Sequence, residues 1–542
     1  MATSDRRLAP PGLGRGAALL ALAIAGCGSD APSAPPVTTP AALMDTLVAL
    51  ADFGNKRVGT EAGARAADYI KARFEAAGLQ DIRFESFQFP RHDVDSKSMT
   101  VSIDRGVATP MVIDVLEASS PGHADAEVRW VNQATAADLE GIDLTGKIAL
   151  VVRSTSFHRS TQYRNLVAGG AVAMLYVSAA PDNLIQVGSV KRSWEAFGDI
   201  PAVTIGAADG QRLRDALDGG QIVRATIDVQ AHSTPATGRN VVGVIPGDSP
   251  EQIVIGAHYD SWFAGSADNG SGVATLLAIV DRRAQQPRPA RTLVFVAYDG
   301  EEVALYGGYK FWRTHVVENG APVVSVLNFE MPASREASVI GLAHSAQSGL
   351  DGALVGARLR DFYGLYTVMD FVPGLFGGII PTDIQGIYRA GVPTASTASD
   401  SPWYHTVQDT PDKVDIVGLA GASDAFDVAI DLLCAASAAS LAERDPALWR
   451  ASTVIAPRAA TAPVVVDVTI TDAGDAPQAG AVVQAALLAD DFFLVGETSA
   501  TTDAAGKVRL TLPPTARPAW VHVTSGPTWP LVEAAVPLAA AQ

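Results

Sequence analysis

Apolar and polar positions follow different rhythms along the chain, and each change of rhythm marks a new part. Between residues 61 and 78, Ala66, Ala67, Tyr69, Ile70, Ala72, Phe74 and Ala77 recur at helical spacing, and Gly78 closes the run. IRFESFQF then alternates every second residue, as a strand does. Residues 41–88 therefore predict helix, loop, helix, strand. Short apolar runs follow (MTVSI, EVRWV, KIALVV, AMLYVS, AVTIG), divided by Gly and Asp turns. From Gly238, strands alternate with helices. NVVGVIPG and QIVIGAHYD lead into a helix from Gly272 to about Gln285, whose buried face is Val273, Leu276, Leu277 and Val280. TLVFVAYDG, VSVLNFEM and ASVIGLAH continue the pattern to a helix ending near Leu441. This alternation predicts an α/β fold: a mostly parallel mixed sheet covered by helices. After residue 456 the rhythm changes again. PVVVDVTITDAG, AVVQAALLA and KVRLTLPP read as strands between Asp, Gly and Pro turns, predicting a small appended β-sandwich.

The first forty residues read differently. Arg6, Arg7 and Arg15 precede a short apolar run, Ala17 to Ala25, which is too short to span a bilayer and fits an export signal. The run ends Ile24-Ala25-Gly26-Cys27. Small residues before a cysteine at this position resemble the bacterial lipoprotein signal, which implies cleavage before Cys27 and a diacylglycerol on its thiol. Residues 27–40 are rich in Pro and Ser and read as a tether lifting a domain off a membrane. The division expected from sequence is thus a signal over 1–26, a tether over 27–40, an α/β domain over 41–95 and 236–445, an insert over 96–235, and a sandwich over 456–542.

Composition narrows the chemistry. Hydrophobic residues make up 48% of the 542, enough for a large core. With 40 basic and 58 acidic residues the formal charge is −18, which disfavours nucleic acid as a partner. Cys27 and Cys434 are the two cysteines, too few for a disulfide framework or a Cys-rich zinc module. Cys434, in an Ala-rich apolar helix, is expected to be a buried free thiol. A metal site in this chain would be built from His, Asp and Glu.

Functional groups in open α/β sheets gather beyond the carboxyl ends of the strands. QIVIGAHYD delivers His258 and Asp260 there, and the following loop delivers Asp268. TLVFVAYDGEE delivers Glu301 and Glu302, VSVLNFEM delivers Glu330, and SPWYHTVQDT delivers His405. Two imidazoles with several carboxylates suit Zn²⁺. Five ligands, one of them bridging, suit two ions about 3.5–4 Å apart. Blander readings exist for each residue alone: a solvated histidine, an acidic pair at a helix start, or Asp268 as a helix cap. The other seven histidines lack a comparable setting and read as structural or surface residues.

Together, the blocks HYDSWFAGSADNGSG, FVAYDGEEVALYGG, LNFEM and YHTVQDT, in this order and spacing, resemble the co-catalytic dizinc aminopeptidase family. That family also includes glutamate carboxypeptidases and the transferrin-receptor ectodomain. The stretch GKIALVVRSTSFHRSTQYRNLVAGGAVAMLYVS, reading strand, helix, strand, resembles the protease-associated domain that such proteins often carry as an insert. The resemblance implies two Zn²⁺ ions, with His258 on one, His405 on the other and Asp268 bridging, completed by Glu302 and Glu330. It implies Glu301 as general base and Tyr404 as donor to the oxyanion, with Asp260 orienting His258 and Asp409 supporting the His405 loop. The Asp268–Asn269 bond is often cis in the family. Two departures stand out: many members have Asp at the position of Glu330, and an Asp-His pair where this chain reads Thr382-Asp383-Ile384-Gln385.

The reading that follows is an exported, lipid-anchored metallo-exopeptidase, an aminopeptidase acting on peptide substrates and held to the membrane through Cys27. A carboxypeptidase or dipeptidase of the same fold is the alternative, since the pocket residues that separate them are not placed by sequence. A glutaminyl cyclase is disfavoured because cyclases of this fold lack the complete five-ligand set. A dead binding or adhesion scaffold is disfavoured because every ligand and the base are present.

Overall fold

The computed structural model describes residues 38–154, 158–191, 197–369, 380–445, 449–489, 494–515, 519–525 and 533–538. Cys27, the expected export signal and most of the expected tether lie outside the described residues. The first described helix, Pro40–Ala51, is capped by Thr39, whose side chain accepts from Ala42 N. Glu61–Ala76 is capped in the same way by Thr60.

Among the described residues one mixed sheet of fourteen strands runs through both the α/β domain and the insert. At its centre four strands lie side by side and parallel, in the order Thr394–Ser399, Val323–Asn328, Ser249–His258, Arg291–Tyr298. The chain leaves Ser249–His258 for one neighbour, Arg291–Tyr298, and returns to the other side with Val323–Asn328. That reversal of winding opens a crevice at the carboxyl ends of these strands. The strands are buried on both faces. Ile253, Ile255, Leu293 and Phe295 pack with Ile70, Phe74, Leu277 and Phe426 on one side. Val254, Val294, Val296 and Val326 pack with Phe311, Trp312, Ile384 and Ile387 on the other. Near-continuous apolar runs in the sequence reflect this double coverage.

The two parts of the sheet are joined by a long ribbon. Gln80–Ile103 pairs antiparallel with Val223–Ile245 along its length, from Gln80 opposite Val244 to Ile103 opposite Val223. The second of these strands also pairs with Arg291–Tyr298 at one end and with Gly122–Trp130 at the other. The insert's own parallel strands, Gly122–Trp130, Ile148–Val152, Ala173–Val177 and Ala202–Ile205, carry apolar clusters on both faces.

Cys434 departs from expectation. It lies near the end of the helix Ile416–Ala435 as a free thiol, but it is half-buried rather than buried, because that last turn faces the rim of the core. The helix itself stops at Ala435, and a separate short helix, Ala438–Ala442, carries the chain to Leu441. After it, two sheets of three and four strands share one apolar core of Val464, Val466, Val468, Val483, Leu487, Leu510 and Val521, forming a β-sandwich.

Candidate metal centre and active site

The crevice gathers its donors from the ends of the four parallel strands. His258 is the last residue of its strand and is fully buried. Its Nε2 stands 3.3 Å from Glu330 Oε1 and 3.4 Å from Asp268 Oδ1. His405, on the loop after Thr394–Ser399, puts its Nε2 3.1 Å from Asp268 Oδ2 and 2.8 Å from Glu302 Oε2. Two triads result, His258–Asp268–Glu330 and Asp268–Glu302–His405, with the donor atoms of each within 4.8 Å of one another. They share Asp268, which turns one carboxylate oxygen to each imidazole. Asp268 does not cap the following helix: that helix, Ser271–Arg283, begins after Gly270 without a side-chain cap. Glu302 likewise sits in a turn, and the next helix starts only at Tyr306.

The backbone around these donors is pinned by hydrogen bonds. Asp260 accepts from the backbone N–H of Glu301 (3.1 Å) and of Glu302 (3.3 Å), so the carboxylate after one strand holds the acidic pair after its neighbour. The carbonyl of Asp260 faces His258 Nδ1 at 3.0 Å. Asp409 accepts from Ala267 N (2.7 Å) and Asp268 N (3.0 Å), and its own carbonyl accepts from Ser266 N (3.1 Å). Asn269, joined to Asp268 by a cis peptide bond, donates to Phe329 O and accepts from Met331 N, tying the bridging loop to the segment that carries Glu330. Lys56 is buried and donates to Ala264 O at 2.6 Å, behind the same loop.

Electrostatics mark the cluster as short of positive charge. Burial opposes protonation of His258, yet Glu330, Asp260, Asp268 and Glu301 outweigh it and hold the imidazole well above its ordinary pKa. His405 is raised in the same sense by Glu302 and Asp268 against burial. Burial pushes Glu302 up to about 7, against the pull of His405. Glu301 is driven well above the carboxylate range by burial, with Glu330, Asp383 and Glu302 adding to it and His258 opposing. Lys56 is lowered to about 8 by burial, with Asp409 first among the carboxylates opposing that shift. Two buried carboxylate oxygens, Glu302 Oε1 and Glu330 Oε2, have no hydrogen-bond partner. Unpartnered lone pairs converging on two points beside excess carboxylate are what a pair of divalent cations would satisfy.

Around Tyr404, which the sequence did single out, the structure gathers residues that it did not. Tyr404 stacks on His405, ring centroids 3.6 Å apart, and Arg153 of the insert lies over the tyrosine ring. Arg159, also from the insert and buried, is a hydrogen-bond partner of Tyr404 and donates to Ser189 O at 3.0 Å. His158 caps the helix Arg159–Ala168 by accepting from Ser160 N. Asp383 is buried, and burial together with the charges of Asp260 and Glu330 raises its pKa well above the usual range, against His258. Lys56, Arg153 and Arg159 carry no motif in the sequence, and His158 read only as a structural or surface residue. The signal that could have flagged Arg153, His158 and Arg159 is the density of cationic residues at the start of one helix in an acidic chain.

Fold and donor set together define the class: an α/β domain of metallohydrolase type, with its donors at a winding reversal of the sheet. Residues 240–427 match peptidase family M28, and residues 112–213 match the PA domain. The α/β domain is thus similar to peptidase family M28, and its insert to the PA domain. The chain is 26% identical over 478 residues to a glutamate carboxypeptidase 2 homolog of Caenorhabditis elegans, covering 65% of this chain and 62% of the relative. It is 26% identical over 349 residues to a probable leucine aminopeptidase 2 of Aspergillus fumigatus, covering 62% and 67%. The chain thus spans somewhat less than two-thirds of the nematode relative's length. The crystal structure of a peptidase M28 precursor from Shewanella amazonensis superposes with a TM-score of 0.60 at 21% identity, over 73% of this chain and 93% of that one, a likeness of fold. Among the described residues no helix is long and apolar enough to cross a membrane.

Proposed function

We propose that this protein is a dizinc exopeptidase that removes residues from the amino terminus of peptides. The observation that carries the reading is the pair of donor triads sharing Asp268, with Glu301 beside them. His258 and Glu330 would hold one ion, His405 and Glu302 the other, and Asp268 both. When bound, the ions supply Lewis acidity, polarising the scissile carbonyl and acidifying a water. Glu301 is positioned by Asp260 and only partly exposed at the crevice, where it would accept the proton of the attacking water and return it to the leaving amine. Tyr404 accepts from Arg159, which leaves its own O–H free to donate to the developing oxyanion. Asp260 and Asp409 hold the backbone of the donors in place.

One observation favours a second reading. Arg153 and Arg159 bring guanidinium groups to the wall of the site at Tyr404, where a substrate carboxylate would pair with them. This supports a carboxypeptidase, the activity in the nematode relative's name, or a dipeptidase. We also read Cys27 as the lipid attachment point of an exported protein. Incorporation of labelled fatty acid, lost in Cys27→Ser, tests that anchor.

The decisive assay sets free-amine aminoacyl substrates against matched N-acetylated peptides, with zinc counted on the same sample. Turnover of free-amine substrates alone, about two zinc per chain, and a loss of about 10²–10⁴-fold in kcat for Glu301→Gln are expected. Cleavage of N-blocked peptides from the carboxyl end would replace the aminopeptidase reading with the second one.

A further inference from the structure

The two imidazoles of the centre are oriented by different parts of the chain. His258 turns Nδ1 to the carbonyl of Asp260, two residues away in its own domain, at 3.0 Å. His405 turns Nδ1 to the carbonyl of Val187, which belongs to the PA insert and lies 218 residues away in sequence, at 3.1 Å. Val187 also donates its N–H to the His405 carbonyl at 3.0 Å, and Gln186 Nε2 donates to the Tyr404 carbonyl at 2.9 Å. Three hydrogen bonds thus clamp Tyr404 and His405 to two consecutive residues of the insert. Gln186 and Val187 are both buried.

The clamp is held on both sides. Glu117 N donates to Gly188 O at 2.8 Å and Val190 N donates to Glu117 O at 3.0 Å, so Glu117 brackets the clamp segment. The Glu117 carboxylate pairs with Arg57 of the α/β domain at 2.9 Å. Lys191 Nζ donates to the Tyr306 hydroxyl at 3.0 Å. Val187 itself packs among Val58, Phe89, Trp262, Val303 and Tyr306, all outside the insert's parallel strands. His405 adopts a left-handed backbone, φ 59°, which a non-glycine residue keeps only when its surroundings over-determine it. The clamp supplies that determination. An imidazole offers Nε2 to a cation when Nδ1 carries the proton, and a carbonyl facing Nδ1 fixes both that tautomer and the ring.

We propose that the PA insert is a working part of the metal centre: Gln186 and Val187 are positioning residues for His405, and the half-site of His405 and Glu302 depends on the docked insert while that of His258 and Glu330 does not. The proposal rests on the two-ion reading above.

The test is zinc titration of the full chain, resolved into its two steps, with melting curves alongside. Gln186→Ala removes one bond of the clamp. Val187→Pro removes the N–H donated to His405, and Val187→Ala keeps both backbone bonds while trimming the same side chain. In Gln186→Ala and Val187→Pro, one zinc site should weaken about 10–100-fold and the other change by less than about twofold. Val187→Ala should bind zinc as the parent does. Should Val187→Pro not fold, Gln186→Ala carries the test. Equal weakening of both sites, or no change in either, overturns the proposal. A parent chain that binds one zinc and not two overturns the two-ion reading itself, and the proposal with it, and is told apart because no variant is needed to see it.

Discussion

His92 shows how one buried side chain at the insert junction shapes the response to acid. Its ring lies 4.3 Å from that of Phe197, Nδ1 meets Ser233 Oγ at 2.6 Å, and it is 2% exposed. Burial first, then Lys191 and Arg57, lower its pKa from 6.5 to about 4. The unfolded chain therefore takes up a proton that the folded chain refuses. The stability His92 contributes is fully present above about pH 6.5 and is lost as pH falls through about 4. Glu117, raised by burial, slopes the other way, so the difference between two proteins isolates the effect. Urea unfolding between pH 7 and 4 should show the parent losing on the order of 2 kcal/mol more than His92→Gln. Parallel curves would assign the acid response elsewhere. At this scale the residues legible in sequence were those whose partners lie at the ends of recognisable strands: His258, Asp268, Glu301, Glu302, Glu330 and His405. Lys56, Arg159 and Val187 were not, because each reaches the site from more than a hundred residues away, and no local pattern records that approach.

Among elements, the helix Ser271–Arg283 sets the spacing between the bridging loop and the strand end that carries Glu330. Gly272 allows the close approach: a Cβ there would stand 2.3 Å from Phe329 O and 2.4 Å from Asn269 Oδ1. A backbone carbonyl cannot yield, so Gly272→Ala should push the helix away from the Glu330 segment. A loss of about 1–3 kcal/mol in urea unfolding is expected, together with weaker zinc binding. Gly352, in the helix Ser348–Gly356, has open space at the same atom, and Gly352→Ala should be neutral or gain about 0.5–1 kcal/mol. A Gly272→Ala protein as stable as the parent would show that the helix can shift freely. Helix and strand identity over this stretch could be read from sequence because amphipathic periodicity is local. The ribbon of Gln80–Ile103 with Val223–Ile245 could not be read as one element. Its strands cross from one domain to the other, so the burial pattern switches along them, and Pro90 and the polar run near Asp93 read as a boundary.

For the molecule as a whole, the separate cores decide how its parts melt. The α/β domain and the insert share one sheet, a ribbon and the clamp on His405, and should unfold together. The C-terminal sandwich has its own two sheets and a core drawn from its own strands. Arg164 of the insert meets Glu497 of the sandwich at 3.5 Å, with the two side chains 30% and 52% exposed. Such an exposed pair is worth about 0–1 kcal/mol and couples the units weakly. The only cluster of buried, cation-starved donors among the described residues lies in the α/β domain. A ligand that binds one folded unit stabilises that unit by mass action, about 2.7 kcal/mol at a free concentration a hundred times the dissociation constant. Scanning calorimetry of the full chain should therefore resolve two transitions. Zinc should raise one of them and chelator lower the same one, while the other, lost on deleting residues 446–542, stays in place. A single transition that moves with zinc would mean that the sandwich is braced by the domain it follows, and that its core does not stand alone.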